Sequence, residues 1–310
     1  MNKIYLAKEK NLIRIDKFLT ENLKIYSRSK VEKIILSGNV KINGRIVIKK
    51  NFKITLGDKI EVKFPAQIEP DHIIHNTNIP LLKKLYEDDQ ILIIDKPSGI
   101  SVHPGTGERK TTILDLLINE YPDVKKIKDI DRPGIVHRLD KGTSGVLILA
   151  KSFLAMKKMQ KKFKKREIFK KYYGIVSGNV RFRSGTVSAP IRRNNHDKRK
   201  FTAVDSSDHL IDEAKDAETS YSVLYQFKNS ALMVFEPKTG RTHQIRVHMS
   251  YLGNPILGDD YYGKGNSFPR LALHATSIKF KHPFNNTEII SFSPTPFIFR
   301  KYFSDQIKKP

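Results

Sequence analysis

The chain has 310 residues, 39% of them hydrophobic, enough for one large folded domain plus a small one. Its 57 Lys and Arg against 32 Asp and Glu leave a formal charge of +25, which points to a polyanionic partner, nucleic acid before a membrane surface. The absence of cysteine excludes disulfides and thiolate metal sites, and no run approaches the ~20 apolar residues of a spanning helix.

The N-terminus, Met1-Asn2-Lys3-Ile4-Tyr5, lacks the apolar core of a signal peptide, so a cytoplasmic protein is expected. Residues 1–11 read as a polar lead-in. Ile15, Phe18, Leu19 and Leu23 then fall at helical spacing. A second helix opens at Ser27-Arg28-Ser29-Lys30, with Ser27 or Ser29 as its N-cap. Val31, Ile34 and Ile35 form its apolar face, and Ser37-Gly38 ends it. Val40-Lys41-Ile42 and Arg45-Ile46-Val47 flank Asn43-Gly44, a two-residue hairpin signal. Leu56 to Val62 adds a turn and a strand. The basic side of this unit carries Arg14, Lys17, Arg28, Lys30, Lys33 and Lys41, which suits an RNA backbone; of these Arg14, Arg28, Lys30 and Lys41 are the candidate RNA-binding residues.

The order of elements resembles the S-four RNA-binding module, named after a small-subunit ribosomal protein. The resemblance spans residues 12–64. It rests on Arg14-Ile15-Asp16-Lys17-Phe18-Leu19, Ser27-Arg28-Ser29 and Gly38-Asn39-Val40-Lys41-Ile42-Asn43-Gly44. Residues 65–80, with Pro65, Pro70 and Pro80, read as a linker.

A second domain is expected over residues 81–310. Ile91 to Asp95 reads as a buried strand, Lys96-Pro97-Ser98-Gly99 as a turn, and Ile100 to Pro104 as its continuation. Thr111 or Thr112 caps a helix with Ile113, Leu116 and Leu117 inward. Val146 to Ala150 is a buried strand. A helix from Ser152 to about Arg166 places Leu154, Met156, Met159 and Phe163 inward, and six lysines on its other face read as a phosphate-binding stripe. Strands follow at Tyr172–Val176, Ser220–Tyr225 and Ala231–Glu236, with a basic hairpin tip or insertion over residues 191–217. Arg241 to Leu252 reads as a helix with Ile245, Met249 and Leu252 buried and His243, Arg246 and Ser250 on an adjacent face. Short strands are expected near Leu271–His274, Ile278–Phe280 and Glu288–Phe292. The elements do not alternate as a regular βα repeat. The expected fold class is therefore α+β, a mixed but largely antiparallel sheet preceded by the small RNA-binding module.

The stretch from Gly134 to Gly145 organises the large domain. Arg138 and Asp140 stand two residues apart before a turn at Thr143-Ser144-Gly145. A carboxylate at the end of an element, beside a cation, suits a nucleophile or base kept ionised. Isolated Arg-x-Asp patterns are far more often a surface ion pair and an Asx turn. Asp140, Arg138, Tyr172 and Arg246 together suit chemistry on a nucleobase, with the Tyr ring available to stack on an extruded base.

His137-Arg138-Leu139-Asp140, with Thr143-Ser144-Gly145 and Ala150-Lys151, resembles the signature of the RluA/RluD family of pseudouridine synthases. Asp95-Lys96-Pro97-Ser98-Gly99 with Val102-His103-Pro104, Lys170 to Gly178, and Thr239 to His248 followed by Gly258-Asp259 and Leu273-His274-Ala275 are similar to its other motifs. The resemblance implies that Asp140 is the nucleophile that starts cleavage of the uridine glycosidic bond. It implies that Tyr172 stacks on the base and serves as a base at carbon 5, and that Arg246 pairs with Asp140. It also implies that Arg138 enters the RNA stack and that Ile245 packs on the flipped base. His137, Thr143 and His243 join these as candidate substrate contacts. No metal or cofactor is implied. His243 and His248 are five apart rather than four, which argues against a shared metal.

Two departures stand out: Gly142 where the family often carries an acid, and Gly174 where it often carries Ala. His103-Pro104-Gly105-Thr106-Gly107 is most similar to the RluD branch. This implies large-subunit ribosomal RNA or a pre-ribosomal particle as partner. Separately, a monomer is expected, with no obligate protein partner evident in the sequence. The competing readings are a non-catalytic RNA-binding assembly factor and the same chemistry on tRNA. A methyltransferase would need a glycine-rich turn after an early strand, and Asp95-Lys96-Pro97 is wrong for that purpose.

Overall fold

The computed structural model describes residues 2–7, 12–23, 28–64, 81–105, 111–127, 132–205, 210–263 and 268–307. Contacts divide the chain into two units, residues 1–78 with 128–131 and residues 79–127 with 132–310. In the small unit β1 (Asn2–Leu6) and β2 (Ile13–Arg14) precede α1 (Ile15–Asn22) and α2 (Arg28–Leu36). Four short strands follow: β3 (Val40–Ile42), β4 (Arg45–Ile46), β5 (Lys53–Ile54) and β6 (Lys59–Lys63). One sheet runs β1-β6-β3-β4, and β2 pairs with β5. Ile15, Phe18 and Leu19 of α1 and Val31, Ile34 and Ile35 of α2 bury against Val40, Ile60 and Val62. The end of α2 is satisfied as the sequence predicts, with Gly38 N–H donating to the Ile35 carbonyl and Asn39 N–H to that of Ile34. Asn43 and Gly44 take φ of 49° and 80°, the two left-handed residues that a tight hairpin requires.

Two expectations are corrected here. The lead-in is a strand: β1 pairs antiparallel with β6, from Asn2 opposite Lys63 to Leu6 opposite Lys59. Local composition hid it, because Ile4 and Leu6 stay exposed and the order comes from pairing with a distant strand. Ser29 lies inside the first turn of α2 rather than capping it. Ser27 and the 65–80 stretch lie outside the described residues.

The large unit opens with β7 (Lys84–Glu87), β8 (Ile91–Lys96), α3 (Ile113–Glu120), β9 (Ser144–Ala150), α4 (Phe153–Lys164) and β10 (Phe169–Ser177). It continues through β11 (Ser184–Ser188), the hairpin β12 (Ile191–Arg193) and β13 (Phe201–Ala203), then β14 (Glu218–Gln226) and β15 (Ser230–Pro237). α5 (Gln244–Tyr251), β16 (Leu273–Lys281), β17 (Glu288–Phe292) and α6 (Phe297–Ile307) complete it. Nine strands form one sheet in the order β11-β14-β15-β10-β16-β9-β8-β7, with β17 also on β16. β9 and β16 run parallel, and the other pairs described in this sheet are antiparallel. The fold is α+β and largely antiparallel, as the sequence predicts. Every residue of β9 is buried, so the strand that follows Asp140 is a rigid mount.

Differences from the sequence reading have local causes. Ile100 to Pro104 is irregular, not a strand; the Ser101 and Val102 carbonyls accept the N–H groups of Ile113 and Leu114 and so finish α3. Thr112 is the cap, in a capping box with Asp115. In α4, Ala155, Met156 and Met159 are buried while Leu154 is 55% exposed, so the inward stripe is turned by one residue. Leu252 is likewise exposed. The strands expected near Leu271–His274 and Ile278–Phe280 are one strand, β16, which carries β10, β9 and β17 as partners. α6 had no counterpart in the sequence reading; Phe299 is its buried anchor.

Gly145, Gly174 and Gly142 are among the glycines at points of close approach. A Cβ on Gly145 (φ 112°) would lie 2.1 Å from the Ala275 carbonyl oxygen, which fixes the crossing of β9 and β16. A Cβ on Gly174 would meet the Phe235 ring at 2.8 Å, and one on Gly142 would meet Leu271 Cβ at 3.0 Å. Phe235 and Leu271 thus occupy the space that a larger residue would need at the two positions where the sequence departs from the family pattern. Among the described residues no helix is long and apolar enough to cross a membrane.

Candidate active site

Asp140 sits in the turn just before β9, and the turn closes through Thr143 N–H to the Asp140 carbonyl, 3.0 Å. The Lys96-Pro97-Ser98-Gly99 segment holds this turn from beside it. Gly99 N–H donates to the Lys141 carbonyl (2.8 Å), and the Ser98 hydroxyl donates to the Gly142 carbonyl (2.7 Å). The Lys96 ammonium is fully buried and donates to the carbonyls of Pro97 (2.9 Å), Ile100 (2.8 Å) and Lys141 (3.3 Å). Burial draws the Lys96 pKa down to about 7, and the nearby Asp140 carboxylate acts the other way. Two motifs separated in sequence therefore meet because β8 and β9 are neighbours, with Lys96 opposite Gly145.

Arg246 arrives on α5. The sequence places the start of this helix at Arg241, but it starts at Gln244, because His243 adopts a left-handed conformation (φ 57°). Gln244 fixes that start. Its carbonyl oxygen accepts from Arg241 N–H and the Thr239 hydroxyl, while its amide donates to the Glu218 carbonyl and to Thr219 Oγ1. The Thr219 hydroxyl is then left to donate to His248 Nδ1 (2.9 Å), and His248 Nε2 donates to the Ala189 carbonyl (3.0 Å).

So positioned, Arg246 spans two carboxylates. Nη1 donates to Asp140 Oδ2 at 3.1 Å, while Nε and Nη2 grip Asp259 at 2.8 Å each. Asp259 is buried and also accepts the N–H groups of Tyr261 and Tyr262. The Tyr261 and Tyr262 rings stand 5.4 and 5.2 Å from the guanidinium. Burial opposes the charge on Arg246, but the hydrogen bonds and charges of Asp259 and Asp140 outweigh it and raise its pKa.

The pair opens into a cleft of about 540 Å³ whose lining includes all eight catalytic and substrate candidates: Asp140, Arg246, Tyr172, Arg138, His137, Thr143, His243 and Ile245. Tyr172 is half-buried on β10, opposite Phe235 and Ala275. Burial first, and then the Asp140 charge, push its phenol well above the ordinary value, so it is a neutral ring at physiological pH. Ile245 and Thr143 are buried, and Arg138 is exposed at the wall. His243 is not on α5 as expected but just before it, with Nδ1 2.9 Å from the Tyr262 hydroxyl. His137 stacks on Phe163 at 4.5 Å and accepts the Ile148 N–H through Nε2. The lining cations are Arg138, Lys164, Arg166, Lys170, Lys238, Arg241 and Arg246, against a single carboxylate, Asp140, among the described residues. No group of His, Asp and Glu among the described residues is arranged to hold a metal ion.

Asp259, Lys96, Gln244 and Lys170 were not among the sequence candidates. Asp259, Lys96 and Lys170 stood inside quoted motifs, where the signal was a charged residue destined for a buried or half-buried position. In the small unit, Asp16 is buried and holds Arg14 (3.0 Å) and Arg28 (2.9 Å), whose side chains remain 46% and 62% exposed. Burial pushes the Asp16 carboxyl up, but the two guanidinium groups outweigh it and keep its pKa low. Lys41 is exposed on β3, and Lys30 lies in the first turns of α2.

Burial favours the neutral ring at His137, His248 and His274, as it does at His243. The His137 pKa is drawn down to about 3, with Lys170 adding to the effect. His248 and His274 are shifted the same way. For His274, Arg270 donates to Ser144 Oγ, so the Ser144 hydroxyl donates to Nδ1. The unfolded chain protonates these rings near pH ~6.5 and the folded chain does not, so stability falls on acidification below that point. The expected slope is up to ~1.4 kcal/mol per pH unit for each ring. Urea denaturation at about pH 7.5 and about pH 5.5 measures it, and a flat profile would contradict the buried neutral assignment.

A carboxylate held beside a guanidinium, in a basic cleft with one aromatic platform, suits a catalyst that works on a polyanion. The comparisons with known proteins agree. The model of the RNA pseudouridylate synthase family matches residues 90–251, and that of the S4 domain matches residues 13–60. A Synechocystis protein named as an uncharacterized RNA pseudouridine synthase is 37% identical over 93% of this chain and 88% of its own. The ribosomal large subunit pseudouridine synthase D of Escherichia coli is 36% identical over 91% of this chain and 87% of its own. The solved structure of human RNA pseudouridylate synthase domain containing 4 aligns with a TM-score of 0.57 and 28% identity, over 73% of this chain and 93% of that one. The chain belongs to the RNA pseudouridylate synthase family, and it carries an S4 domain at its N-terminal end.

Proposed function

We propose that the protein isomerises specific uridines of large-subunit ribosomal RNA, with Asp140 as the nucleophile. The carrying observation is the excess of cations over the one carboxylate in the cleft, with that carboxylate hydrogen-bonded to Arg246. The names of the relatives called large subunit pseudouridine synthase D support the choice of RNA.

In this reading the target uridine leaves its stack and enters the cleft. The Asp140 carboxylate attacks C1′ as the bond between N1 and C1′ breaks. The freed uracil turns, C5 bonds to C1′ as the Asp140–C1′ bond breaks and returns the carboxylate, the C5 proton leaves to solvent and N1 regains one. Atoms balance within the nucleotide, so no outside oxidant or group donor is consumed. Arg246, anchored by Asp259, holds the Asp140 carboxylate in place through its Nη1 hydrogen bond. Tyr172 and Ile245 form the walls for the base, and Arg138, exposed beside them, fills the gap in the RNA stack. Thr143, His137 and His243 shape the cleft around them. Because Tyr172 is a neutral phenol in the free protein, its first role here is the ring face. In the N-terminal domain Arg14, Arg28, Lys30 and Lys41 bind the RNA backbone, with Asp16 holding the first two in place. The protein works in the cytoplasm as a monomer, without a cofactor.

The test is incubation of the purified protein with large-subunit rRNA and, separately, tRNA transcripts, followed by chemical labelling of pseudouridine and primer extension. New stops at defined rRNA uridines are expected. Stops in tRNA alone would overturn the choice of RNA, and none in either would overturn the reading.

The role of the ring gives a second expectation. Tyr172→Phe keeps RNA affinity within about twofold, whereas Tyr172→Ala weakens it by roughly 10- to 100-fold, the value of one base stacked on an aromatic ring. Fluorescence anisotropy with a short target RNA measures both, and equal affinity for the two variants would remove the stacking role.

A further inference from the structure

We propose that Lys170 binds the phosphodiester beside the target uridine, so that the cleft has a second, flanking-nucleotide subsite. This rests on the reading that the cleft takes RNA. Lys170 stands on β10 two residues before Tyr172 and lines the same cleft, at the end that holds His137. Its ammonium has three N–H donors, and among the described residues it meets one acceptor, the Thr239 carbonyl at 3.2 Å. Of the other cations of the cleft, Lys238 is committed to Glu218, Arg241 to the Asp216 carbonyl, and Arg246 to Asp140 and Asp259, while Arg138, Lys164 and Arg166 are exposed to solvent rather than partly buried. Lys170 is partly buried and has no carboxylate partner among the described residues.

A desolvated cation with idle donors is costly until an anion arrives. The approach is open: a Cβ on Gly240 would stand 3.9 Å from the Lys170 amine, and Gly240 is exposed. Burial draws the Lys170 pKa down to about 8, so the amine still carries its proton at neutral pH and gains from a fixed negative charge. In RNA a phosphodiester accompanies every nucleotide, and a lysine recognises it as a point charge.

The experiment uses the full chain and an oligoribonucleotide of large-subunit rRNA sequence around the mapped uridine. One version carries the natural linkages. Two others carry a neutral methylphosphonate, one 5′ and one 3′ to the target. Affinity is read by fluorescence anisotropy for wild type and Lys170→Met. Wild type is expected to lose about tenfold at one of the two neutralised linkages, the scale of one charge-assisted hydrogen bond. Lys170→Met is expected to lose about the same with natural RNA, and nothing further at that linkage. Its salt slope should fall by about one. Losses that simply add, at both linkages, would overturn the proposal, as would natural-RNA binding by Lys170→Met equal to that of wild type. If Lys170→Met does not melt as a folded protein, Gly240→Val replaces it, since a branched side chain there fills the approach while the lysine stays; it must show the same linkage-specific loss. Conversion of the natural RNA by wild type is scored separately. Failure there refutes the proposed substrate, while the binding cycle decides the role of Lys170.

Discussion

Asp140→Asn is expected to lower turnover by about 10⁴-fold or more while RNA affinity stays within about threefold of wild type. The amide keeps the shape of the side chain and can still accept from Arg246 Nη1. It cannot supply the electron pair of a carboxylate at a forming covalent bond. Binding is expected to survive because the proposed reading spreads it over the cations of the cleft and over the N-terminal domain rather than over Asp140. Single-turnover conversion of a target RNA, with anisotropy on the same RNA, separates the two effects. Turnover near wild type would end the nucleophile assignment, and a parallel loss of affinity would make Asp140 a binding residue.

Asp259→Ala is expected to destabilise the protein by roughly 3–5 kcal/mol, the cost of leaving a buried charge without its partner. At about 2–4 °C per kcal/mol for a domain of this size, melting falls by roughly 6–20 °C. The carboxylate receives two guanidinium N–H groups and two backbone N–H groups, and all four donors lose their acceptor together. Arg246 then keeps a single hydrogen bond, to Asp140, and loses the fork that orients it, so kcat of the folded protein falls by about 100-fold through misplacement. Arg246→Lys reaches a similar loss of activity by another route: an ammonium keeps the charge but cannot fork to two carboxylates. Thermal melting and kcat of both variants check the pair. An Asp259→Ala protein as stable and active as wild type would show that Arg246 needs no anchor.

The site was legible in the sequence to the extent that its residues carry their own chemistry. Asp140, Tyr172 and Arg246 were singled out as types suited to a nucleobase reaction, and the fold brings them to one cleft. Residues that act by holding others were not legible, because their roles are set by partners far along the chain. Lys96 is tied to the carbonyl of Lys141, and Gln244 to Glu218 and Thr219. A lysine in a turn reads as a solvated charge until the three carbonyls around it are in view.

The same holds for the elements. Hairpins and helix ends with strong local signals, such as Asn43-Gly44 and the cap at Thr111 or Thr112, fall where the sequence places them, with Thr112 the cap that forms. Elements ordered by tertiary contact do not. β1 exists because β6 offers an edge. α5 starts three residues late because His243 turns left-handed in front of it and the Gln244 side chain holds the preceding turn at Arg241. That delay matters for function, since it takes His243 out of the helix that presents Arg246.

The central claim is that this cleft turns uridine into pseudouridine in large-subunit rRNA through Asp140. Pseudouridine mapping of total RNA from cells lacking the gene, complemented with wild type or Asp140→Asn, tests it most directly. The expected result is loss of specific large-subunit signals that wild type restores and Asp140→Asn does not. Restoration by Asp140→Asn, or no lost signal in any RNA, would contradict it.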